Sequence, residues 1–185
     1  MTRHNVFISY HHTNDQLYKE IFVHDFQYYF IDKSVHIGEY AEDLSTQYIK
    51  RLIREEKITN SSIIVVLIGS ETYKRKHVDW EISAGLTCKA GGCSGLVGIL
   101  LPTYYDNPKN YCLNRGSYLY ETIPPRLADN VKTKYANIYT WDYLYQRDYS
   151  GNYNIKSILD NAFNQKSYNS GNIINNRIQF SNNRA

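Results

Sequence analysis

A glutamate at position 81 and a histidine at position 77 are the pair in this sequence whose types and spacing best suit chemistry. Four residues apart on a helix, they are neighbours on one face. They follow the continuous apolar run Ile63–Ile68, IIVVLI, which is rich in β-branched residues. Such a run reads as a central strand of a parallel sheet, covered on both faces. Gly69 and Ser70 break it, and the helix that opens next carries Glu81 within its first turns. A carboxylate just past the carboxyl end of a buried parallel strand stands where open α/β sheets bind ligands. A small-molecule site is therefore the leading reading. At about 100° per residue, Val78, Ile82, Gly85 and Leu86 form the stripe packed on the sheet. Glu81 is expected at the flank of that stripe, half in and half out, beside His77. Trp80 points to the opposite side, for packing or a partner surface. The unpaired amides near a helix start stabilise a carboxylate there, and the same fact allows Glu81 a purely structural role.

The elements that must hold these residues alternate along the chain. Residues 5–10, NVFISY, read as the opening strand. The polar loop 11–15 follows, where Asn14 or Asp15 can cap the next helix. His11 and His12 form a pair on this loop that is expected to be solvent-exposed. The first helix is expected over residues 16–29, burying Leu17, Ile21, Phe22 and Phe26. Residues 31–43 are irregular, with a short strand at 35–37, and Asp43 reads as the cap of a second helix over 45–57. That helix buries Tyr48, Ile49, Leu52 and Ile53 and presents Lys50, Arg51, Arg54 and Glu55 to water. Gly91-Gly92 breaks the chain before a strand at 94–101, ended by Pro102. The long aromatic stretch 103–129 is expected to be functional or decorated with small elements. A strand at 135–141 and a helix at 155–163 complete the domain. The Asn- and Ser-rich residues 164–185 read as a weakly structured tail or a docking appendage.

Composition excludes several function classes. A chain of 185 residues with 42% apolar residues is long enough for one α/β domain with a full core. No stretch approaches the roughly 20 apolar residues of a membrane span, and the start lacks the apolar segment of a signal peptide. The net charge of +3 comes from Lys166, Arg177 and Arg184, and the preceding residues balance at 18 basic and 18 acidic. No basic face for nucleic acid is implied. The three cysteines, Cys88, Cys93 and Cys112, are odd in number and lack metal spacing. They read as reduced thiols of a cytoplasmic protein. No glycine-rich phosphate loop is present. Ser9 and Gly69 stand where a response regulator needs acidic residues.

FISYHH at residues 7–12 resembles the first box of TIR domains. IIVVLIGSETYKRKHVDWEI at 63–82 resembles the strand, turn and catalytic-glutamate helix of the TIR-like family of bacterial Thoeris anti-phage systems. The similarity continues through GILLP at 98–102 and IPPRLADNV at 123–131, so it covers most of residues 1–163. The resemblance implies a flavodoxin-like TIR fold, with a mainly parallel five-stranded sheet and helices on both faces. It also implies an enzyme that cleaves NAD, its substrate, with no cofactor and no metal. Glu81 is then catalytic, holding the nicotinamide-side ribose while the N-glycosidic bond breaks, and Ser9, Tyr10, His11 and His77 border the substrate. A carboxylate suits an oxocarbenium-like transition state. If an internal hydroxyl attacks instead of water, a cyclic ADP-ribose isomer forms. By the same resemblance, that product activates a separate NAD-depleting effector protein, and self-association completes the site. His77 stands where the family commonly carries a tryptophan, which leaves the base-stacking role open. Two rivals remain: a TIR adaptor without chemistry, and a nucleoside deoxyribosyltransferase-like enzyme.

Overall fold

Runs of β-branched and aromatic residues form five strands in the computed structural model, which describes residues 3–34, 56–88 and 92–184. These are β1 (His4–Ser9), β2 (Phe30–Asp32), β3 (Ile63–Ile68), β4 (Gly95–Leu100) and β5 (Ala136–Thr140). They pair in the order β2-β1-β3-β4-β5, and every pairing is parallel. The sheet is α/β and flavodoxin-like, with β3 at its centre as its composition requires. Its six residues are all buried, because a parallel strand at this position is covered on both faces.

Side-chain alternation divides β3 between two cores. Ile63, Val65 and Leu67 face α1 (His12–Phe26), the short α4 (Trp141–Leu144) and α5 (Asn154–Tyr168), and pack with Phe22, Phe26, Ile155 and Ile158. Ile64, Val66 and Ile68 face α2 (Lys76–Leu86) and α3 (Pro125–Lys132), and pack with Val78, Ile82 and Leu127. Close approach is needed at Gly95, where a Cβ would overlap the Ala162 carbonyl of α5.

Several expectations are corrected. Helix α1 starts at His12, four residues early, so Asp15 is not its cap; His11 holds that position without a side-chain bond. The buried residues of α1 are Asp15, Lys19, Phe22 and Phe26, one stripe at i, i+4, i+7 and i+11, and Leu17, off that stripe, is 64% exposed. Cys88 and Cys93 are joined as a disulfide, not free, with their Cα atoms 4.1 Å apart. Cys112 is a free, exposed thiol. Helix α5 continues to Tyr168, so the division at residue 163 falls inside a helix. The expected strand at 35–37, the cap at Asp43 and most of the helix at 45–57 lie outside the described residues; residues 56–59 are helical. The stretch 103–129 carries short 3-10 turns at Pro102–Asp106 and Tyr120–Thr122. They are tied together by the buried Tyr104 hydroxyl, 2.7 Å from Thr122 Oγ1. Among the described residues no helix is long and apolar enough to cross a membrane.

Candidate active site

The chain leaves β1 toward β2 on one side of the sheet, while β3 lies on the other. The crevice at the carboxyl ends of these strands is the topological switch point. Ser9 is the last residue of β1 and shares its face with Phe7, which packs in the core under α2. Glu81 is in the second turn of α2. The two meet: Ser9 Oγ donates to Glu81 Oε2 at 2.6 Å. Ser9 is 0% exposed and Glu81 3% exposed, so the expected half-exposed position of Glu81 is corrected. The flank of α2 that carries it is closed over by β1.

His77, one turn before Glu81, reaches the same strand end. Its Nε2–H donates to the Tyr10 carbonyl at 3.0 Å. The Tyr10 ring stacks on His12 at 4.4 Å, and His12 meets His77 edge-on at 5.1 Å. The Tyr10 hydroxyl donates to Gln16 Oε1 at 2.5 Å. Ser9, Tyr10, His77 and Glu81 are thus brought together, and His12 joins them as a ring the site reading had left out.

His11 departs from its neighbour. It is buried, at 7% exposure, where the loop pair was expected in water. Its Nδ1 has no hydrogen-bond partner among the described residues. Burial disfavours the charged ring, and Arg75 and His77 add to this against the opposing pull of Glu71, so its pKa falls to about 4. At neutral pH this ring is uncharged.

A second buried carboxylate sits at the same end of the sheet and was read only as a helix cap. Asp15 accepts from Thr103 Oγ1 at 3.1 Å and from Thr72 Oγ1 at 3.3 Å. Gly69 N–H donates to the same Thr72 hydroxyl at 2.9 Å. A Cβ at Gly69 would overlap both Asp15 oxygens. Burial raises the Asp15 pKa, against the two threonine hydroxyls. The group ties the first turn of α1 to the segments after β3 and β4. Beyond them opens a cavity of about 470 Å³ lined by Asn14, Ser70, Glu71, Lys74 and Asn107 among others. Neither Ser9 nor Glu81 lines it. Among the described residues no cluster of three or more His, Cys, Asp or Glu is placed to hold a metal.

Behind α2, Arg126 is the largest fully buried side chain, at 0% exposure. Its Nε is 3.0 Å from Asp79 Oδ1. Nothing in local spacing pairs two residues 47 apart, and in the amphipathic α3, PRLADNVK, an arginine gives no sign of burial.

The parallel sheet order and a carboxylate held at its switch point define a flavodoxin-like α/β domain. Compared with known protein families, residues 7–106 match the family described as Thoeris protein ThsB, TIR-like domain. That match spans just over half of the chain, and the chain belongs to this family. It contains Ser9, Tyr10, His11, His77 and Glu81, and ends before α3 and β5. A search of curated proteins returns no match.

Proposed function

We propose that this chain is an NAD-cleaving enzyme of a Thoeris anti-phage system, with Glu81 as its catalytic carboxylate. One observation carries the reading: the Ser9 Oγ–Glu81 Oε2 hydrogen bond of 2.6 Å, at the carboxyl end of β1. It fixes a buried carboxylate at the point where such sheets bind ligands.

In the proposed reaction the bond between the ribose C1′ and the nicotinamide nitrogen breaks. Its electron pair leaves with neutral nicotinamide. Positive charge develops on the ribose, and the buried Glu81 carboxylate stabilises it. Attack by water, or by a hydroxyl of the same nucleotide, forms the new bond to C1′ and releases one proton. The second route gives a cyclic ADP-ribose-type product. Ser9 orients Glu81. The cluster of Tyr10, His12 and His77 lies next to it, and His77 takes the position of the family's common tryptophan. The product activates a separate NAD-depleting effector, and self-association of the chain completes the site.

The test is mass spectrometry of nucleotides from cells carrying the chain during phage infection, comparing it with Glu81→Gln. The expected result is nicotinamide release and a cyclic nucleotide from the unsubstituted chain alone. A stable Glu81→Gln chain that still protects cells would overturn the reading in favour of an adaptor. Transfer of deoxyribose between bases would favour a deoxyribosyltransferase.

A further inference from the structure

Residues 173–184, outside the family match, run along the whole length of α2 from its carboxyl end to its amino end. Asn175 Nδ2 donates to the Ser83 carbonyl at 3.0 Å and lies 3.3 Å from Thr87 Oγ1. Gln179 Nε2 donates to Ser83 Oγ at 3.0 Å. Phe180 N–H donates to Asp79 Oδ2 at 3.0 Å, and the Phe180 carbonyl accepts from Trp80 Nε1 at 2.8 Å. Asn183 Oδ1 accepts from the Lys76 N–H at 3.0 Å, and Arg184 N–H donates to the Lys74 carbonyl at 2.9 Å.

The contacts at 76, 79, 80, 83 and 87 fall on one stripe of a helix turning at about 100° per residue. The sheet-facing residues Val78, Ile82, Gly85 and Leu86 form a second stripe, and His77 with Glu81 a third. Asn183 supplies what α2 lacks. Its own flanking residue, Arg75, makes no side-chain cap, and the first turn of a helix leaves amides unsatisfied unless something accepts from them. The segment is also anchored from behind. Arg126 donates to Asn175 Oδ1 at 2.9 Å and to the Arg177 carbonyl at 3.0 Å while holding Asp79. Asn130 bonds the Ile174 carbonyl at 2.7 Å and accepts from its N–H at 3.0 Å.

From this geometry we infer that residues 175–184 are a positioning element of the active site. By capping and bracing α2 on the face away from β1, they fix its rotation and hold Glu81 against Ser9. Gln179 and Asn183 are the positioning residues, and neither touches the substrate. The catalytic part of the inference rests on the proposed NAD cleavage; the bracing part does not.

The test uses the whole chain carrying Gln179→Ala with Asn183→Ala, which leaves the Arg126–Asn175 anchor in place. Amide hydrogen exchange in α2 is expected to quicken by about tenfold, the scale of losing one helix cap, with β3 unchanged. Under conditions where the unsubstituted chain cleaves NAD, kcat is expected to fall by about tenfold with KM within about threefold. Asn183→Asp alone keeps an acceptor at the helix start and is expected to retain both properties. Unchanged exchange in α2 overturns the inference, as does quickening that spreads equally through β3 or loss of the fold in the double variant. If the unsubstituted chain does not cleave NAD, the functional reading fails while the exchange result still decides the bracing.

Discussion

Asp79 and Glu81 are two carboxylates two residues apart on one helix, both buried, and they face different worlds. Asp79 meets the Arg126 guanidinium at 3.0 Å and the Phe180 amide at 3.0 Å, in a group closed by Asn175 and Arg177. Glu81 turns to the other side and meets the Ser9 hydroxyl at 2.6 Å, at the end of a central strand. Burial alone therefore does not tell the two apart. What distinguishes the two is the element each faces: a cation on a neighbouring helix locks Asp79 into the fold, whereas Glu81 stands at the strand ends, where open α/β sheets bind ligands.

The sharpest way to break this contrast is Arg126→Met. It leaves Asp79 buried without its cation, so the chain should lose about 3–5 kcal/mol of stability. Chemical denaturation measures this, and a loss under about 1 kcal/mol would mean that Asp79 is not locked as described. Glu81→Gln should behave oppositely. Its amide oxygen can still accept from Ser9, so stability should stay within about 1 kcal/mol, while NAD cleavage should fall by about 10²–10³-fold. Steady-state rates and a melting curve on one preparation test both halves.

Ser9→Ala comes next. Removing the hydroxyl from a buried carboxylate should cost about 1–3 kcal/mol. Combined with Glu81→Gln, the two costs should fail to add by about 0.5 kcal/mol or more, as for residues in direct contact. Additive costs would separate Ser9 from Glu81.

The smallest effect concerns His11. Its folded pKa of about 4 lies below the ordinary 6.5, so folding favours the neutral ring. The stability this contributes is fully present above pH 6.5 and is lost as pH falls from 6.5 toward about 4. Over that window the unsubstituted chain should lose more thermal stability than His11→Gln. Parallel melting temperatures across the window would show that His11 is not held neutral.

The frame of the molecule was legible where the signal is local and periodic. Ile63–Ile68 is the central strand expected from its unbroken β-branched run, and the strands near 5–10, 94–101 and 135–141 appear within a residue at each end. The resemblance places both Ser9 and Glu81 at the site, but not their direct, buried contact, since Glu81 reads as half-exposed from the helix pattern alone. What escaped depends on long-range partners. Asp15 looks like a cap in a polar loop, and only the threonines from two other strand ends make it a buried junction. Leu17 reads as core by its apolar type, but the face of α1 turned to the sheet carries Asp15, Lys19, Phe22 and Phe26 instead. Arg126 and Asn183 reach residues 47 and 107 positions away, which no window of neighbouring residues contains. The Asn-rich surroundings of Asn183 read as a weakly structured tail or a docking appendage because the contacts are made by polar groups, not by an apolar stripe.

The bracing of α2 also has a consequence in time. Phe180 and Asn183 meet residues 101 and 107 positions earlier in the chain. Synthesis at about 5–20 residues per second puts roughly 5–20 s between the making of this helix and the making of its brace. During that interval the nascent chain carries Glu81 on a helix whose first turn has yet to receive the side chain that caps it.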